Sequence, residues 1–388
     1  MKLLHTSDWH IGRSLFEFSL LEDQREIFLQ ICAIIEREQV DAVLISGDLY
    51  DRSIPSAEAV SLLDEMFTTL IGRYHLPVLA ISGNHDSARR VDYASRLLSA
   101  SGLYLAGGFT PKMHKVTLRD AFGPVHFFLL PYFFPQQVRV LLEDNSIHTA
   151  DAALQKIIDY NRDQIDPAER NVLLAHGFFM KQRAGQKSEQ APDQPQCAGS
   201  ETSVGTSDLC DLSCCEGLFD YVALGHLHGA QTAGDARMRY SGSPLKYSVD
   251  EASSNKSVTL VELSDKGEFS ARTIPLTPMR DLRLLTGSIE ELCDPSRKSD
   301  DYVFVQLVSQ GPVLGAMSRL REVYPHTLGL SFCRNPSPSH SFLSQSPAAL
   351  PPQELFSRFY RQVQGEEISD EQQTIVADIL RTVTQETT

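Results

Sequence analysis

The feature that most constrains this chain is a series of short, wholly apolar runs, each of which ends in a cluster of polar residues. The runs comprise residues 3–4, 42–45, 78–81, 172–174 and 221–224. Continuous runs of this kind are typical of strands that are buried on both faces. Helical patterns lie between the early runs, with apolar residues at 27, 31, 34 and 35 and again at 60, 63, 66, 67 and 70. Strands that alternate with helices predict an α/β core.

A smaller pattern of strands and helices follows this core. The alternating side chains of residues 257–261 predict hairpin strands that complete the core. Beyond residue 283, a β-α-β-α-β pattern has strands near 302–308 and 327–333, with a helix that Pro312 opens. Residues 335–352 are rich in serine and proline and predict an extended linker. Two short amphipathic helices are predicted after the linker.

These patterns divide the chain into four regions. We predict a core domain over residues 1–275, a small second domain over residues 276–334, a linker over residues 335–352 and a helical tail over residues 353–388. The apolar faces of the tail helices have no obvious place on the core. A partner protein is therefore the expected cover for them, with folding back onto residues 276–334 as the alternative.

Composition limits the classes of function. The chain has 35 basic and 50 acidic residues, and a net charge of −15 argues against broad adhesion to nucleic acid, although a metal centre can still hold phosphate. The seven cysteines include no Cys-x-x-Cys pair, which argues against a disulfide framework or a zinc site. The longest apolar run, residues 125–134, is too short to cross a bilayer, and no signal-peptide core is present. We expect a cytoplasmic protein without a membrane span.

The polar clusters at the ends of the runs carry the chemistry. They are Asp8-x-His10, Gly47-Asp48-x-x-Asp51, Gly83-Asn84-His85-Asp86, His176 and Gly225-His226-x-His228. Because ligands of open α/β sheets bind at the carboxyl ends of the strands, these distant residues are expected to meet at one rim. Carboxylate, amide and imidazole groups are suitable ligands for two divalent metals, with Asp48 as a possible bridge.

Each cluster alone is weak support for a metal site. A single histidine after a strand is more often hydrogen-bonded in the core, and we expect this of His5, His75 and His126. Glycine followed by asparagine or aspartate also forms ordinary turns. All five clusters in order, each behind an apolar strand, are hard to obtain by accident and together indicate a metal site.

The order of the clusters resembles that of the calcineurin-like metallophosphoesterases, whose pattern is Asp-x-His, Gly-Asp-x-x-Asp, Gly-Asn-His-Asp/Glu, His and Gly-His-x-His. Within this superfamily, residues 5–12, 47–52, 83–87, 223–228, 241–248, 280–324 and 354–360 are similar to bacterial DNA nuclease subunits. The similarity covers nearly the whole chain. It implies an α/β fold with a two-sheet core, a small α+β capping domain that faces DNA, and C-terminal partner-binding helices.

The resemblance also implies the roles of the site residues. One metal would lie on Asp8, His10, Asp48 and His228, and the other on Asp48, Asn84, His176 and His226, with Mn²⁺ as the usual ion. His85 is the best candidate for protonating the leaving oxygen, with Asp86 available to orient and charge its imidazole. The alternatives for His85 are a further metal ligand or a structural turn residue.

The function that the resemblance implies is a DNA nuclease acting with an SMC-like ATPase, as a 3′–5′ exonuclease on duplexes and an endonuclease on single strands and hairpins. One alternative is a phosphatase or small-molecule phosphodiesterase on the same centre. This alternative does not account for the second domain, the linker and the terminal helices. The other alternative is a scaffold whose metal site has decayed, although no ligand position has been lost.

Several contacts with partners are expected as well. The candidates for contacting DNA phosphates are Arg13, Arg52, Arg89 and Lys246, although charged loop residues are often merely solvated. The candidates for binding the ATPase are Leu355, Phe356, Phe359 and Tyr360. Helices near residues 22–37, 56–71 and 87–99 are apolar on more than one face. They suggest a homodimer, unless all of these faces pack on the sheet.

Overall fold

The structure is a computed structural model that describes residues 1–181, 209–309 and 313–333, together with 356–357, 360–361, 368–369 and 372–377. It divides into two compact units, Met1–Cys333 and Arg334–Thr388. Several residues of the sequence predictions lie outside this description, namely Pro312, the linker at 335–352, Leu355 and Phe359.

The first unit contains nineteen strands and eight α-helices among its described residues. The strands are β1 Lys2–Thr6, β2 Ser14–Leu15, β3 Phe18–Ser19, β4 Ala42–Ser46, β5 Val78–Ile81, β6 Leu103–Ala106, β7 His114–Asp120, β8 Gly123–Leu130, β9 Arg170–His176, β10 Phe179–Met180, β11 Cys210–Asp211, β12 Tyr221–Gly225, β13 Gln231–Asp235, β14 Met238–Tyr240, β15 Ser257–Leu263, β16 Phe269–Pro275, β17 Leu282–Gly287, β18 Tyr302–Val308 and β19 Thr327–Cys333. The helices are α1 Leu21–Glu38, α2 Ala57–Thr68, α3 Ala88–Val91, α4 Ser95–Leu98, α5 Pro135–Leu141, α6 Ala150–Asn161, α7 Ile289–Leu292 and α8 Ala316–Val323.

Two six-stranded sheets form the core. The first has the order β16-β15-β1-β4-β5-β6, in which β1, β4, β5 and β6 are parallel and the β15–β16 hairpin is antiparallel to β1. The second has the order β13-β14-β12-β9-β8-β7, with a parallel centre of β14, β12, β9 and β8. The predicted α/β core with two sheets is confirmed.

The apolar runs are buried on both faces because the sheets pack on each other and are covered by helices. In β4, Leu44 joins the cluster between the sheets, whereas Val43 and Ile45 point to the cluster that contains α1 and α2. On the second sheet, Leu173 of β9 packs with Leu154 of α6. Alternate strand residues therefore face two different apolar layers, which is why the runs show no polar alternation.

A third sheet of parallel strands, β17-β18-β19, packs against α7 and α8. The predicted strands at 302–308 and 327–333 are confirmed. Helix α8 begins at Ala316, behind Gly315 with a left-handed φ of 66°, and the helix start predicted at Pro312 lies outside the described residues. The boundary between this region and the core stays a prediction.

The helices near the amino end differ from expectation in one place. Helix α1 matches the predicted 22–37, and α2 is extended by a π-helical turn at Thr69–Arg73. The single helix predicted over 87–99 is wrong, because Ala94 has a left-handed φ of 56° and separates α3 from α4. None of the described helices combines the length and the apolar character that a membrane crossing requires.

Candidate metal centre

The five polar clusters lie at the carboxyl ends of five strands. Asp8, Asp48 and Asn84 follow β1, β4 and β5 of the first sheet, while His176 ends β9 and His226 follows β12 of the second. The two sheets bring these ends together in one place, since Gly225 pairs with His176 and the His176 ring contacts the end of β4. The predicted rim is thus formed by both sheets.

One group of possible metal ligands consists of Asp8, His10 and His228. All three are buried, and their ligand atoms lie within 4.8 Å of one another. The Nε2 atoms of His10 and His228 lie 3.2 Å apart. Two imidazole nitrogens that face each other need a proton or a cation between them, so this group has the chemistry of a cation site.

A second group surrounds Asn84 and His176. The amide Oδ1 of Asn84 lies 3.1 Å from His176 Nε2 and 3.1 Å from His226 Nδ1. The carboxylate of Asp48 lies between the two groups, because its Oδ2 is 3.4 Å from His176 Nε2 and 3.6 Å from His10 Nε2. Asp48 is therefore within reach of both groups.

The backbone at these positions is unusual. Asp8, His10, Asp48 and His226 have left-handed φ values of 53°, 44°, 51° and 106°. Such conformations cost of order 1–3 kcal/mol each and persist where the surrounding fold imposes them. The glycine before Asn84 is also required, because a Cβ on Gly83 would lie 2.1 Å from Asp48 Oδ1. The fold thus holds the ligand atoms in place before anything binds.

Electrostatics also favour a cation. Burial raises the pKa of Asp8 and lowers that of His226 to about 3. Burial also disfavours the charged form of His176, but the charge of Asp48 outweighs it and raises the His176 pKa to about 9. The buried carboxylates of Asp8 and Asp48 thus lie among histidines that differ in protonation. The pKa shifts favour the protonated form of His176 and the neutral form of His226. Oxygen and nitrogen donors in this arrangement fit divalent cations.

His85 lies beside this cluster. Its backbone N–H donates to Asp48 Oδ1 at 2.9 Å, and its ring is 4.8 Å from that of His10. His85 Nδ1 lies 3.0 Å from the carbonyl oxygen of Asp51. His10, Asp51 and His85 form a further group whose ligand atoms lie within 4.8 Å, so the alternative of His85 as a ligand stays open.

The role expected for Asp86 is corrected by the structure. Its carboxylate accepts hydrogen bonds from the backbone N–H groups of Leu49, Tyr50 and Gly83, at 2.9–3.0 Å. Burial and the charge of Asp48 raise the pKa of Asp86 to about 6. Asp86 therefore fastens the loop after β5 to the loop after β4, and the group that faces the His85 ring is the Asp51 carbonyl.

The four expected phosphate contacts have different environments. Lys246 is largely buried and donates to Asp281 and the Ala252 carbonyl, both at 2.8 Å, so its expected contact with DNA phosphates would require these bonds to break and stays a prediction. Arg13 pairs with Asp51 at 2.7 Å beside the cluster. Arg52 is 79% exposed and Arg89 is exposed, so both can reach a ligand in solvent.

The three histidines set aside by the sequence have no place in the cluster. His5 is buried and hydrogen-bonds to Tyr221 Oη at 2.8 Å and Ser46 Oγ at 3.1 Å, and burial lowers its pKa to about 3. His126 bonds to Thr117 and Glu169. His75 is exposed in the segment between the π-helical turn and β5 rather than buried, contrary to expectation.

Two residues next to His228, Glu251 and Lys256, are not predicted from the sequence. His228 Nδ1 lies 3.0 Å from Glu251 Oε1, and Lys256 Nζ lies 2.5 Å from Glu251 Oε2. Burial favours a neutral Glu251, yet the hydrogen bond from His228 and the charge of Lys256 lower its pKa to about 2. The only sequence signal was a charged pair just beyond the family-like stretch at 241–248.

Comparison with known families agrees with this geometry. Residues 1–230 match the family model described as calcineurin-like phosphoesterase. Residues 278–364 match the model described as type 5 capsule protein repressor C-terminal domain.

The chain is also similar over its full length to two curated proteins, each named as the SbcD component of the nuclease SbcCD. The protein of Staphylococcus epidermidis is 30% identical over 386 residues, covering 98% of this chain and 98% of that protein. The protein of Staphylococcus saprophyticus is 30% identical over 392 residues, covering 100% and 99%. A solved structure, TT1561 of Thermus thermophilus, covers 70% of this chain and 98% of its own, with 11% identity and a TM-score of 0.38.

Proposed function

Since the chain belongs to the calcineurin-like phosphoesterases, among the SbcD nucleases, we propose that its strand-end cluster binds two divalent cations and hydrolyses phosphodiester bonds of DNA. The observation that carries this proposal is the position of Asp48, with Oδ2 3.4 Å from His176 Nε2 and 3.6 Å from His10 Nε2. The chain is a metal-dependent hydrolase of the nuclease type, and we propose manganese as its ion.

The proposed ligand sets follow from the two groups of the cluster. Asp8, His10, Asp48 and His228 hold one cation, and Asp48, Asn84, His176 and His226 hold the other. When bound, the cations would neutralise the charge on the phosphoryl oxygens and would lower the pKa of a water molecule, so that it loses a proton to solvent and attacks as hydroxide.

The leaving sugar oxygen needs a proton, and we assign this step to His85. The Asp51 carbonyl, 3.0 Å from His85 Nδ1, accepts a hydrogen bond from the Nδ1–H group and fixes the ring. A protonated Nε2 is then the atom that gives its proton to the departing oxygen. His85 is anchored to the cluster through its backbone N–H, which donates to Asp48 at 2.9 Å.

The proposed substrate and partner follow from the SbcD relatives. We propose a 3′–5′ exonuclease on duplex DNA and an endonuclease on single strands and hairpins, acting with an SbcC-type ATPase in cytoplasmic DNA repair, recombination and replication. Arg52 and Arg89 are the proposed phosphate contacts, because both are exposed.

The function can be tested with two substrates in parallel. Purified protein with Mn²⁺ should cleave a labelled hairpin DNA, and adding the SbcC-type ATPase with ATP should extend cleavage to long duplexes. A chelator should stop both activities. Rapid hydrolysis of bis(p-nitrophenyl) phosphate without any cleavage of DNA, even with the ATPase, would favour a small-molecule phosphodiesterase instead.

We propose a homodimer formed through the helices near the amino end. Ile54, Val60, Tyr93 and Leu97 are apolar or aromatic side chains that are 45–80% exposed in this region. Burying such residues against a second copy removes apolar surface from water.

We expect sedimentation at micromolar concentration to show a dimer. The double substitution Tyr93→Asp with Leu97→Asp should dissociate this dimer, whereas the control Phe122→Asp, on the β7–β8 hairpin, should not. A wild-type protein that sediments only as a monomer would refute the dimer.

The tail is the proposed binding site for the ATPase. The rings of Phe356 and Tyr360 lie 6.5 Å apart, as expected for positions four residues apart on one helix face. Burial of such a face in a partner groove contributes about 25 cal/mol per Å² of apolar surface.

We expect Phe356→Asp with Tyr360→Asp, or truncation after Asn335, to abolish co-purification with the ATPase while Mn²⁺-dependent cleavage of simple substrates persists. Undiminished complex formation by both variants would exclude the tail as the binding site.

A further inference from the structure

His228 is held at its ring and at its backbone by residues outside the proposed ligand sets. Its Nδ1 hydrogen-bonds to Glu251 Oε1 at 3.0 Å. Its carbonyl oxygen accepts from Lys256 Nζ at 2.9 Å and from the Ser243 N–H at 3.1 Å. These contacts fix both the plane of the ring and the loop from which it projects.

Glu251 and Lys256 form an ion pair with little access to solvent. Glu251 is 4% exposed and Lys256 is 5% exposed. Besides His228, the Lys256 ammonium donates to Glu251 Oε2 at 2.5 Å and to Ser243 Oγ at 2.8 Å, while Glu251 Oε1 also accepts from Tyr247 N at 3.3 Å. Burying an ion pair contributes little net stability, because desolvation offsets the attraction. Stability alone therefore does not account for this arrangement.

The four histidines of the cluster, at positions 10, 176, 226 and 228, differ in the group that lies closest to the Nδ1 atom of the ring. His176 Nδ1 hydrogen-bonds to the neutral carbonyl of Ser46 at 2.7 Å, and His226 Nδ1 faces Asn84 within the cluster. Within the described part of the chain, the buried Nδ1 of His10 has no hydrogen-bond partner, and the Asp51 carboxylate lies 3.8 Å from it, beyond hydrogen-bond distance. Among these four, His228 is the histidine whose Nδ1 hydrogen-bonds to a carboxylate, that of Glu251, while its Nε2 faces His10 in the cluster.

We propose that Glu251, held in place by Lys256, is a positioning residue that keeps His228 as the Nδ1–H tautomer and makes the Asp8 cation site the tighter of the two. The inference rests on the proposed function. A carboxylate partner orients a histidine ligand, leaves its other nitrogen free for the cation and increases its basicity. The Asn84 site lacks such a support in the described residues, so the two cations should bind with different affinities.

The first test is a titration of the metal-free, full-length protein with Mn²⁺, in which isothermal calorimetry counts the equivalents and their affinities. We expect two equivalents in the wild type, and Glu251→Gln should weaken the tighter one by about 10- to 100-fold and leave the other unchanged. Lys256→Met should have the same effect, because the carboxylate then loses its anchor. Glu169→Gln is the matched control, since Glu169 pairs with His126 outside the cluster and should change neither equivalent.

The second test needs no metal. Nuclear magnetic resonance of protein labelled with ¹⁵N at histidine reports the tautomer of each ring. We expect His228 as the Nδ1–H form in the wild type and a mixture of tautomers in Glu251→Ala. An unchanged tautomer together with unchanged Mn²⁺ affinities in Glu251→Gln and Lys256→Met would overturn the inference, as would equal loss of both equivalents. A wild type that binds no Mn²⁺ would instead refute the proposed function itself.

Discussion

Replacing Asp48 with asparagine should reduce DNA hydrolysis by more than about a hundredfold while the fold stays intact. The Asp48 carboxylate lies between the two ligand groups, 3.4 Å from His176 Nε2 and 3.6 Å from His10 Nε2. Its loss therefore removes a ligand from both proposed cations at once. Asparagine keeps the shape of the side chain and tolerates the left-handed φ of 51° at this position. Asp48→Ala should be at least as inactive.

The control for this experiment is another buried carboxylate away from the cluster. Asp220 is 5% exposed and accepts the backbone N–H of Asn171 at the opposite end of β9, so Asp220→Asn removes a buried charge without touching the site. Circular dichroism and thermal unfolding should show both variants folded, with activity lost in Asp48→Asn alone. If folded Asp48→Ala retained more than about a hundredth of the activity, Asp48 would not be the bridge.

Replacing His85 with asparagine should slow DNA cleavage by roughly two to four decades without loss of bound metal. His85 is adjacent to the proposed ligand Asn84, and the Asp51 carbonyl fixes its ring. A positioned acid matters most when the leaving group is a poor one. The loss of rate should therefore be much smaller with bis(p-nitrophenyl) phosphate, whose leaving group departs without a proton.

Metal counting separates this role from the alternative. Two equivalents of Mn²⁺ in the His85→Asn protein, with a smaller rate loss for the good leaving group, would agree with proton donation. Loss of one equivalent would make His85 a ligand and end the proposal that it is the acid. Equal rate losses with both substrates would also contradict it.

The strands and the convergence of their ends could be predicted from the sequence because both depend on local patterns. Val43, Leu44 and Ile45 form an unbroken apolar run because helices cover one face of β4 and the second sheet covers the other. Polar residues directly after parallel strands lie at the carboxyl ends of those strands, and these ends share one edge of the sheet. The predicted strands at 302–308 and 327–333 follow from the same reasoning.

Side-chain partners from distant segments could not be predicted in this way. Asp86 follows His85 directly, yet its carboxylate is taken up by the backbone of Leu49 and Tyr50, which only the packed loops bring within reach. Lys246 lies in a family-like stretch, and the sequence does not show that its ammonium pairs with Asp281 at 2.8 Å. Glu251 ends a single 3₁₀ turn, Val249–Glu251, which is too short to show a periodic pattern, so the sequence does not identify it as the partner of His228.

The central claim is that segments from two sheets form one centre for two cations that share Asp48. Anomalous diffraction from crystals of the full-length protein grown with Mn²⁺ tests it most directly. We expect two peaks about 3.5–4 Å apart with the Asp48 carboxylate between them. Asp8, His10 and His228 should contact one peak, and Asn84, His176 and His226 the other. A single peak, or two peaks of which neither contacts Asp48, would contradict the claim.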